Sequence, residues 1–484
     1  MGFLFVPVYL HFLGAEGFGL IGFFTTISGI VSLMDAGFGG AANRQFARLD
    51  LTAQRDCVAA RSLARSLEWL FWGAAFILGG IIIAIAPFIA SRWLHTQYMG
   101  DKAVTDVLRL MGVTIIIQFP IAFYNGCLMG LQKQVRLNVL GATIATLRGV
   151  GGSLVLWLIS PTALAFFISQ LIVTLVNVVA ARQMLWHALP KTNEPAAFSL
   201  LRLREIGHFA LGLMGTNVFS LALGQLDKII LSTLLTLENF GHYMLATSMS
   251  ILVLRVAGPV YNAAYPRMTE LVARHESEKF YAFYRRSTQL VTLVVVPFAL
   301  LLAFFSKELL TLWTHDAGIG TEVQWTQTWL VLSTTLSGIM CINGATLLAH
   351  GNFSKSFRAT LVVALLIFPT TYFLTKSSGI EGAAVASLLL SIVNQSLLLK
   401  AVRQFLPAQL IRDWLVHAIA IPVGACATVY ALMTWYLRHE SSPNLTWQSI
   451  IPIALAYAAS LVFVGLLLKT TRHELFAILR ARTA

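Results

Sequence analysis

The chain has 484 residues, of which 57% are hydrophobic and only 11% charged, with a mean hydropathy of +0.75 and a formal net charge of +13. A soluble domain carries about 25% charged residues, so a water-soluble globular fold is excluded and the bilayer must solvate most of this surface. The positive balance reads as the Lys/Arg excess that orients membrane proteins rather than as a nucleic-acid footprint, and four scattered cysteines without a CxxC pair exclude a disulfide framework and a cysteine metal site.

Apolar stretches follow one another at 2–13, 18–40, 68–90, 107–129, 137–159, 162–185, 208–234, 240–263, 287–305, 325–349, 357–375, 380–402, 413–437 and 449–469, each bounded by charged or Gly/Pro-rich breaks. Most reach the roughly 20 residues needed to cross the hydrocarbon, which predicts an all-α integral membrane protein of about fourteen transmembrane helices. The first stretch is short, and no basic segment precedes it as in a signal peptide; it reads as a helix whose start lies upstream of Met1. Pro87, Pro120, Pro259, Pro297, Pro369 and Pro422 fall within or near the ends of these stretches, where prolines kink helices.

The breaks alternate in charge. Those after even-numbered stretches, together with the C-terminal tail, hold 25 of the 34 Lys and Arg residues, and the opposite side holds five. This asymmetry places the basic side, and both termini, in the cytoplasm. The longest basic breaks, 41–67, 186–207 and 264–286, suit amphipathic segments on an anionic leaflet. The longest break on the other side, 306–324, is about twenty residues, too short for a soluble domain.

The two halves resemble each other. Glu16, Phe18 and Gly19 match Glu238, Phe240 and Gly241 at an offset of 222 residues; Arg44 matches Arg267, Asn125-Gly126 matches Asn343-Gly344, and Asn177 matches Asn394, in the same order. An offset of six stretches gives parallel repeats related by an axis along the membrane normal. The predicted organisation is therefore a six-helix lobe at 1–186, a linker at 187–207, a second six-helix lobe at 208–405, and two further helices with a tail at 406–484. Two such bundles enclose a cavity that can open to either side.

Charges inside the apolar stretches mark the candidate site. Arg148 falls near the middle of its stretch, where an arginine costs roughly 2.5–3.5 kcal/mol on insertion scales and must face water or a partner. Gly149, Gly151 and Gly152 follow it and allow close helix approach. Arg255 lies in the stretch 240–263, and Asp227 and Lys228 in 208–234. Neighbours on a helix do not face each other, so at least one of Asp227 and Lys228 is expected to point at another helix or a cavity. Arg148, Arg255 and Lys228 are the candidates for holding an anionic group, because guanidinium suits phosphate. The competing structural reading is ion pairing, for example of Asp227 with Arg255 or Lys228. Asp227 and Asp35 are candidates for ion binding or charge pairing. No catalytic constellation, metal motif, P-loop or cofactor motif is present in the sequence.

Pro7-Val8-Tyr9-Leu10, Leu13-Gly14-Ala15-Glu16-Gly17-Phe18-Gly19, Asp35-Ala36-Gly37-Phe38 and Asn43-Arg44 resemble the start of Wzx-type polysaccharide and O-antigen flippases, members of the multidrug/oligosaccharidyl-lipid/polysaccharide exporter superfamily. Gln225, Asp227, Ile230, Phe240-Gly241, Tyr243 and Ala246 resemble the family's seventh and eighth helices. The resemblance implies a V-shaped, two-lobed transporter of the bacterial inner membrane. It implies as cargo an undecaprenyl-pyrophosphate-linked oligosaccharide of polysaccharide, O-antigen or exopolysaccharide biosynthesis, with membrane lipids around it. A Na⁺ or H⁺ gradient and other polysaccharide-assembly proteins are the further partners it suggests. The rival readings are a lipid II flippase, a drug/cation antiporter of the same superfamily, which would want an acidic cavity, and a membrane-embedded O-antigen polymerase or ligase, which would want a sizeable outer loop.

Overall fold

The computed structural model describes residues 2–35, 38–49, 52–193, 196–199, 224–439 and 447–468. Each of the fourteen apolar stretches is helical over nearly all of its described length. Among the described residues, ten helical spans are long and apolar enough to cross a membrane; Gly2–Ser32 takes in the stretch 2–13 and most of 18–40, and Phe357–Val402 takes in 357–375 and 380–402. Ile451–Leu467 is a shorter apolar helix, and 224–234 is the described part of the seventh stretch. Contacts divide the chain into two compact units, Met1–Gly241 and His242–Ala484.

In the first unit, α1 (Gly2–Asp35) is two helices joined at Gly14, whose φ of 69° is open to glycine and strained for other residues. The chain doubles back there. Tyr9 and Phe24 meet the neighbouring rings of Phe166 and Phe167, while Glu16, between them in sequence, reaches residues 97–99. Then follow α2 (Phe38–Phe46), α3 (Gln54–Phe88) with a π-helical turn at Ile89–Trp93, α4 (Asp101–Gln118), α5 (Ile121–Gly130), α6 (Gln134–Leu158), α7 (Ala163–Ala188) and α8 (224–234).

Small residues let these helices approach. A Cβ on Gly79 of α3 would press on the Gly112 carbonyl of α4, and one on Gly112 on the Gly79 carbonyl. A Cβ on Gly126 of α5 would overlap the Gly39 carbonyl, so the first turn of α2 packs closely on α5. Phe71, Phe119, Phe123 and Tyr124 fill the core between α3, α4 and α5.

The second unit holds most of α9 (Leu237–Ser250), then α10 (Leu252–Ala273), α11 (Ser277–Phe304), α12 (Ser306–Thr314), α13 (Ala317–Ile339), α14 (Cys341–Ala349), α15 (Phe353–Val402), α16 (Ala408–Asp413), a π-helical turn at Trp414–Ala420, α17 (Ile421–His439) and α18 (Trp447–Leu467). Ser378 and Gly379 leave helical geometry and divide α15 in two. A polar ladder joins α13 to α15: Ser333 Oγ donates to the Ser387 carbonyl (3.0 Å), Ser391 Oγ to the Ser333 carbonyl (3.1 Å), and Gln395 Nε2 to Ser337 Oγ (3.3 Å). Tyr430 of α17 donates to the Pro297 carbonyl of α11 (2.9 Å) and lies 2.8 Å from Ser460 of α18, which docks the last two helices.

Two of the long basic breaks, 41–67 and 264–286, are largely helix, whereas in 186–207 the helix ends at Ala188 and the described residues beyond it are not helical. The third helix starts at Gln54, fourteen residues before its apolar stretch, and α10 runs to Ala273 with α11 starting at Ser277. The 306–324 break is helical in α12 and the start of α13. The prolines bend the chain less than their positions suggest. Within the long helices, non-helical backbone falls at Gly14 and at Ser378–Gly379, while Pro87 and Pro422 stand beside π-helical turns and Pro120 opens α5.

Candidate functional site

Arg148 lies two residues from the centre of α6, about 3 Å along the axis from its midpoint. Its position is fixed from the main chain outward. Tyr9 Oη on α1 lies within donating distance of the carbonyls of Arg148 (3.2 Å) and Gly149 (3.4 Å), and Gln170 Nε2 on α7 donates to the Arg148 carbonyl (3.2 Å). The glycines permit this approach. Gly149 takes the ring of Phe5 and Gly152 faces Gln170, Phe166 and Tyr9, whereas Gly151 faces open space.

The guanidinium itself is only lightly satisfied. One terminal nitrogen donates to Thr174 Oγ1 of α7 (3.2 Å), and Thr174 in turn donates to the Gln170 carbonyl (2.7 Å). Nε is buried without an acceptor, and no carboxylate pairs with Arg148 among the described residues. A half-buried cation at the middle of a membrane helix, with one neutral acceptor, lacks the counter-charge that offsets its desolvation. The free donors suit an anion with several acceptor oxygens.

Lys228 is held differently. Its ammonium lies 3.2 and 3.3 Å from the two carboxylate oxygens of Asp227 and 2.9 Å from the Gly224 carbonyl. The two adjacent side chains thus turn toward each other, instead of one reaching another helix. Arg255, in the second unit, is exposed on α10 and makes no side-chain hydrogen bond or ion pair among the described residues. Its exposed stripe continues through Pro259, Asn262 and Pro266, which is less apolar than a lipid-facing helix surface. Asp35 ends α1, and its side chain lies outside the described residues. No group of three His, Cys, Asp or Glu side chains suited to a metal ion occurs among the described residues.

Two buried carboxylates were not among the candidate site residues, Glu16 having entered only as part of the repeat and Glu68 not at all. Glu16 accepts from the backbone N–H groups of Gln97 (2.7 Å), Tyr98 (3.2 Å) and Met99 (3.0 Å), tying the start of the second helix to the segment before α4. Glu68, at the first residue of the third apolar stretch, accepts from Tyr124 Oη, Arg182 Nε and Trp186 Nε1, each at 2.9 Å, and from Arg65 Nη1 at 2.9 Å. The signal available was a glutamate at the edge of an apolar run beside arginines that also serve orientation.

The profile of a family described as "Polysaccharide biosynthesis protein" matches residues 11–315, well over half of the sequence. The chain belongs to this family. No curated protein is similar to it in sequence. Among solved structures, "Lipid II flippase MurJ, inward closed conformation" matches with a TM-score of 0.72 at 12% identity, covering 96% of this chain and 95% of that one. An inward-facing multidrug resistance MATE family transporter of the MOP superfamily matches with a TM-score of 0.66 at 16% identity, covering 82% and 93%. A MOP superfamily transporter from Pyrococcus furiosus, described as having reverse polarity of its binding pocket, matches with a TM-score of 0.50 at 14% identity, covering 83% and 94%. The fold is therefore of the MurJ and MATE type, and the chain is a multi-pass membrane protein of the polysaccharide biosynthesis family.

Proposed function

We propose that this family member is a lipid-linked oligosaccharide flippase. It translocates undecaprenyl-pyrophosphate-bound repeat units from the cytoplasmic to the periplasmic leaflet of the bacterial inner membrane by alternating access. The observation that carries the reading is Arg148, a mid-membrane cation without a carboxylate partner among the described residues, in a chain whose family is named for polysaccharide biosynthesis. A pyrophosphate supplies both the missing negative charge and several acceptor oxygens, and the polyprenyl tail stays in lipid during passage. Arg255 engages the cargo head at some stage of transport. Lys228, neutralised by Asp227, has a lesser part. The basic side is the cytoplasmic side, with both termini there.

A second reading, a lipid II flippase, is favoured by the match to MurJ over almost the full length of both chains. Its cargo carries the same pyrophosphate, so Arg148 serves either. A drug/cation antiporter fits an unpaired arginine poorly, because a cationic substrate would be repelled. A polymerase or ligase fits poorly with the short helix connections on the sparsely charged side.

The discriminating experiment is transport by purified protein in vesicles, offered in parallel a fluorescent undecaprenyl-pyrophosphate oligosaccharide, lipid II and a small cationic dye. Transport of the oligosaccharide lipid, with lipid II slower, supports the proposal. Faster transport of lipid II moves the assignment to that cargo, and transport of the dye alone contradicts the anion-binding reading.

A further inference from the structure

On the basic side of the membrane, α3 and α7 both end their lipid-facing stripes in arginine. On α3, Trp69, Phe76 and Ile77 are 67%, 62% and 65% exposed, and Arg65 precedes Trp69 by four residues on the same face. On α7, Ile172, Leu175 and Val179 form the exposed stripe, and Arg182 follows Val179 by three residues. Each arginine therefore stands where a lipid-facing surface reaches the headgroup level.

The two are held in place together. Buried Glu68 takes Arg65 Nη1 on one oxygen and Arg182 Nε on the other, both at 2.9 Å. The Trp186 ring, whose Nε1 also bonds Glu68, lies 4.8 Å from the Arg65 guanidinium and 5.2 Å from that of Arg61. Arg61 is fixed further by a bond to the Pro190 carbonyl at 3.2 Å. Two guanidinium groups thus share one carboxylate and a third lies against the same tryptophan ring, so three positive charges face one negative within the cluster. Arg182 meets Glu68 through Nε and Arg65 meets it through one terminal nitrogen, while their side chains are 49% and 37% exposed, so donor edges face outward. A cavity of about 320 Å³ lies elsewhere, in the second unit, whereas the cavity of about 270 Å³ here is lined by Arg65, Glu68, Trp69, Trp72 and Arg182.

We infer that this cluster is a binding site for the phosphate headgroup of an anionic phospholipid. The arginine edges take the phosphate oxygens, the tryptophans flank the glycerol region as membrane-interface residues do, and the acyl chains lie along the exposed stripes of α3 and α7. Basic pockets at this level between membrane helices recognise anionic headgroups by charge. The site lies on the outer surface of the first unit, away from Arg148, and does not depend on the nature of the transported cargo.

The test is native mass spectrometry of purified protein with phosphatidylglycerol, phosphatidylcholine or undecaprenyl phosphate added in separate arms. It is run on wild type, Arg182→Gln and Arg65→Gln, each first shown monodisperse by gel filtration. Wild type is expected to retain phosphatidylglycerol over phosphatidylcholine, and Arg182→Gln to retain it roughly fivefold less well, the effect of one arginine at a membrane surface. Arg65→Gln leaves the Arg182–Glu68 bridge intact and is the variant to score if Arg182→Gln misfolds, with the same direction expected. Equal retention of the two phospholipids overturns the inference, as does undiminished selectivity in both variants. Retention of undecaprenyl phosphate with no phosphatidylglycerol also overturns it, because the site would then serve the carrier lipid.

Discussion

Gly19 and Gly241, 222 residues apart, each rest on a main-chain carbonyl of the other's repeat motif: a Cβ on Gly19 would overlap the Leu237 carbonyl, and one on Gly241 the Ala15 carbonyl. Ala15 and Leu237 are themselves separated by the same 222 residues, so the two copies of the motif meet about a local two-fold axis. The parallel β-bridge of His95 with Thr236, and the Leu237 N–H donating to the His95 carbonyl at 2.9 Å, fix the approach from a third segment.

Because the obstructing atoms are backbone, neither glycine tolerates a methyl group without a shift of the helix. Gly19→Ala and Gly241→Ala are each expected to destabilise the protein by about 1–3 kcal/mol, the usual cost of overpacking, and to lower the thermal midpoint in detergent by several degrees. Gly80→Ala, where nothing lies within 4 Å of the new Cβ, is the control and should leave the midpoint unchanged or slightly raised.

Glu16 holds three consecutive backbone N–H groups, those of Gln97, Tyr98 and Met99. Glu16→Ala orphans all three, whereas Glu16→Gln keeps one acceptor oxygen. Hydrogen exchange at residues 97–99 should accelerate strongly in Glu16→Ala and partly in Glu16→Gln. Equal protection in all three proteins would show that the segment is held by something else.

The Asp227–Lys228 pair is half-buried, with side-chain exposures of 21% and 17%. Removing one partner leaves an uncompensated charge, and removing both does not. Asp227→Asn and Lys228→Gln should each lower the thermal midpoint more than the double variant does. A double variant whose loss equals the sum of the single losses would show that the two charges are not coupled.

The sequence made the helical architecture readable because membrane solvation forces apolar runs of fixed length and a charge bias between faces. Over their described residues the fourteen stretches are nearly all helical, the seventh being described only at 224–234, and the first two form the hairpin at Gly14. The repeat at Glu16 and Glu238 was visible as a pattern, but its physical content, two glycines on each other's carbonyls, needs three dimensions. At the candidate site, Arg148 stood out because a charge at the centre of an apolar run is rare. Its holders, Tyr9, Gln170 and Thr174, are ordinary residues on helices distant in sequence and gave no signal. Glu68 drew no notice in the sequence and Arg182 counted only toward the charge bias, because which edge charges converge depends on helix packing that spacing does not encode. Asp227 and Lys228 show the limit of helix-face arguments: long lysine side chains can fold back on a neighbour that their Cβ directions would separate.

The most direct test of the central claim is flipping of the fluorescent undecaprenyl-pyrophosphate oligosaccharide in vesicles by wild type, Arg148→Gln and Arg148→Lys at matched levels of folded protein. If Arg148 holds the pyrophosphate, Arg148→Gln should lose at least about tenfold in rate, consistent with one charged hydrogen-bonding group, and Arg148→Lys should keep part of the activity. Wild-type rates in both variants would contradict the account and leave Arg148 as a packing residue of α1, α6 and α7.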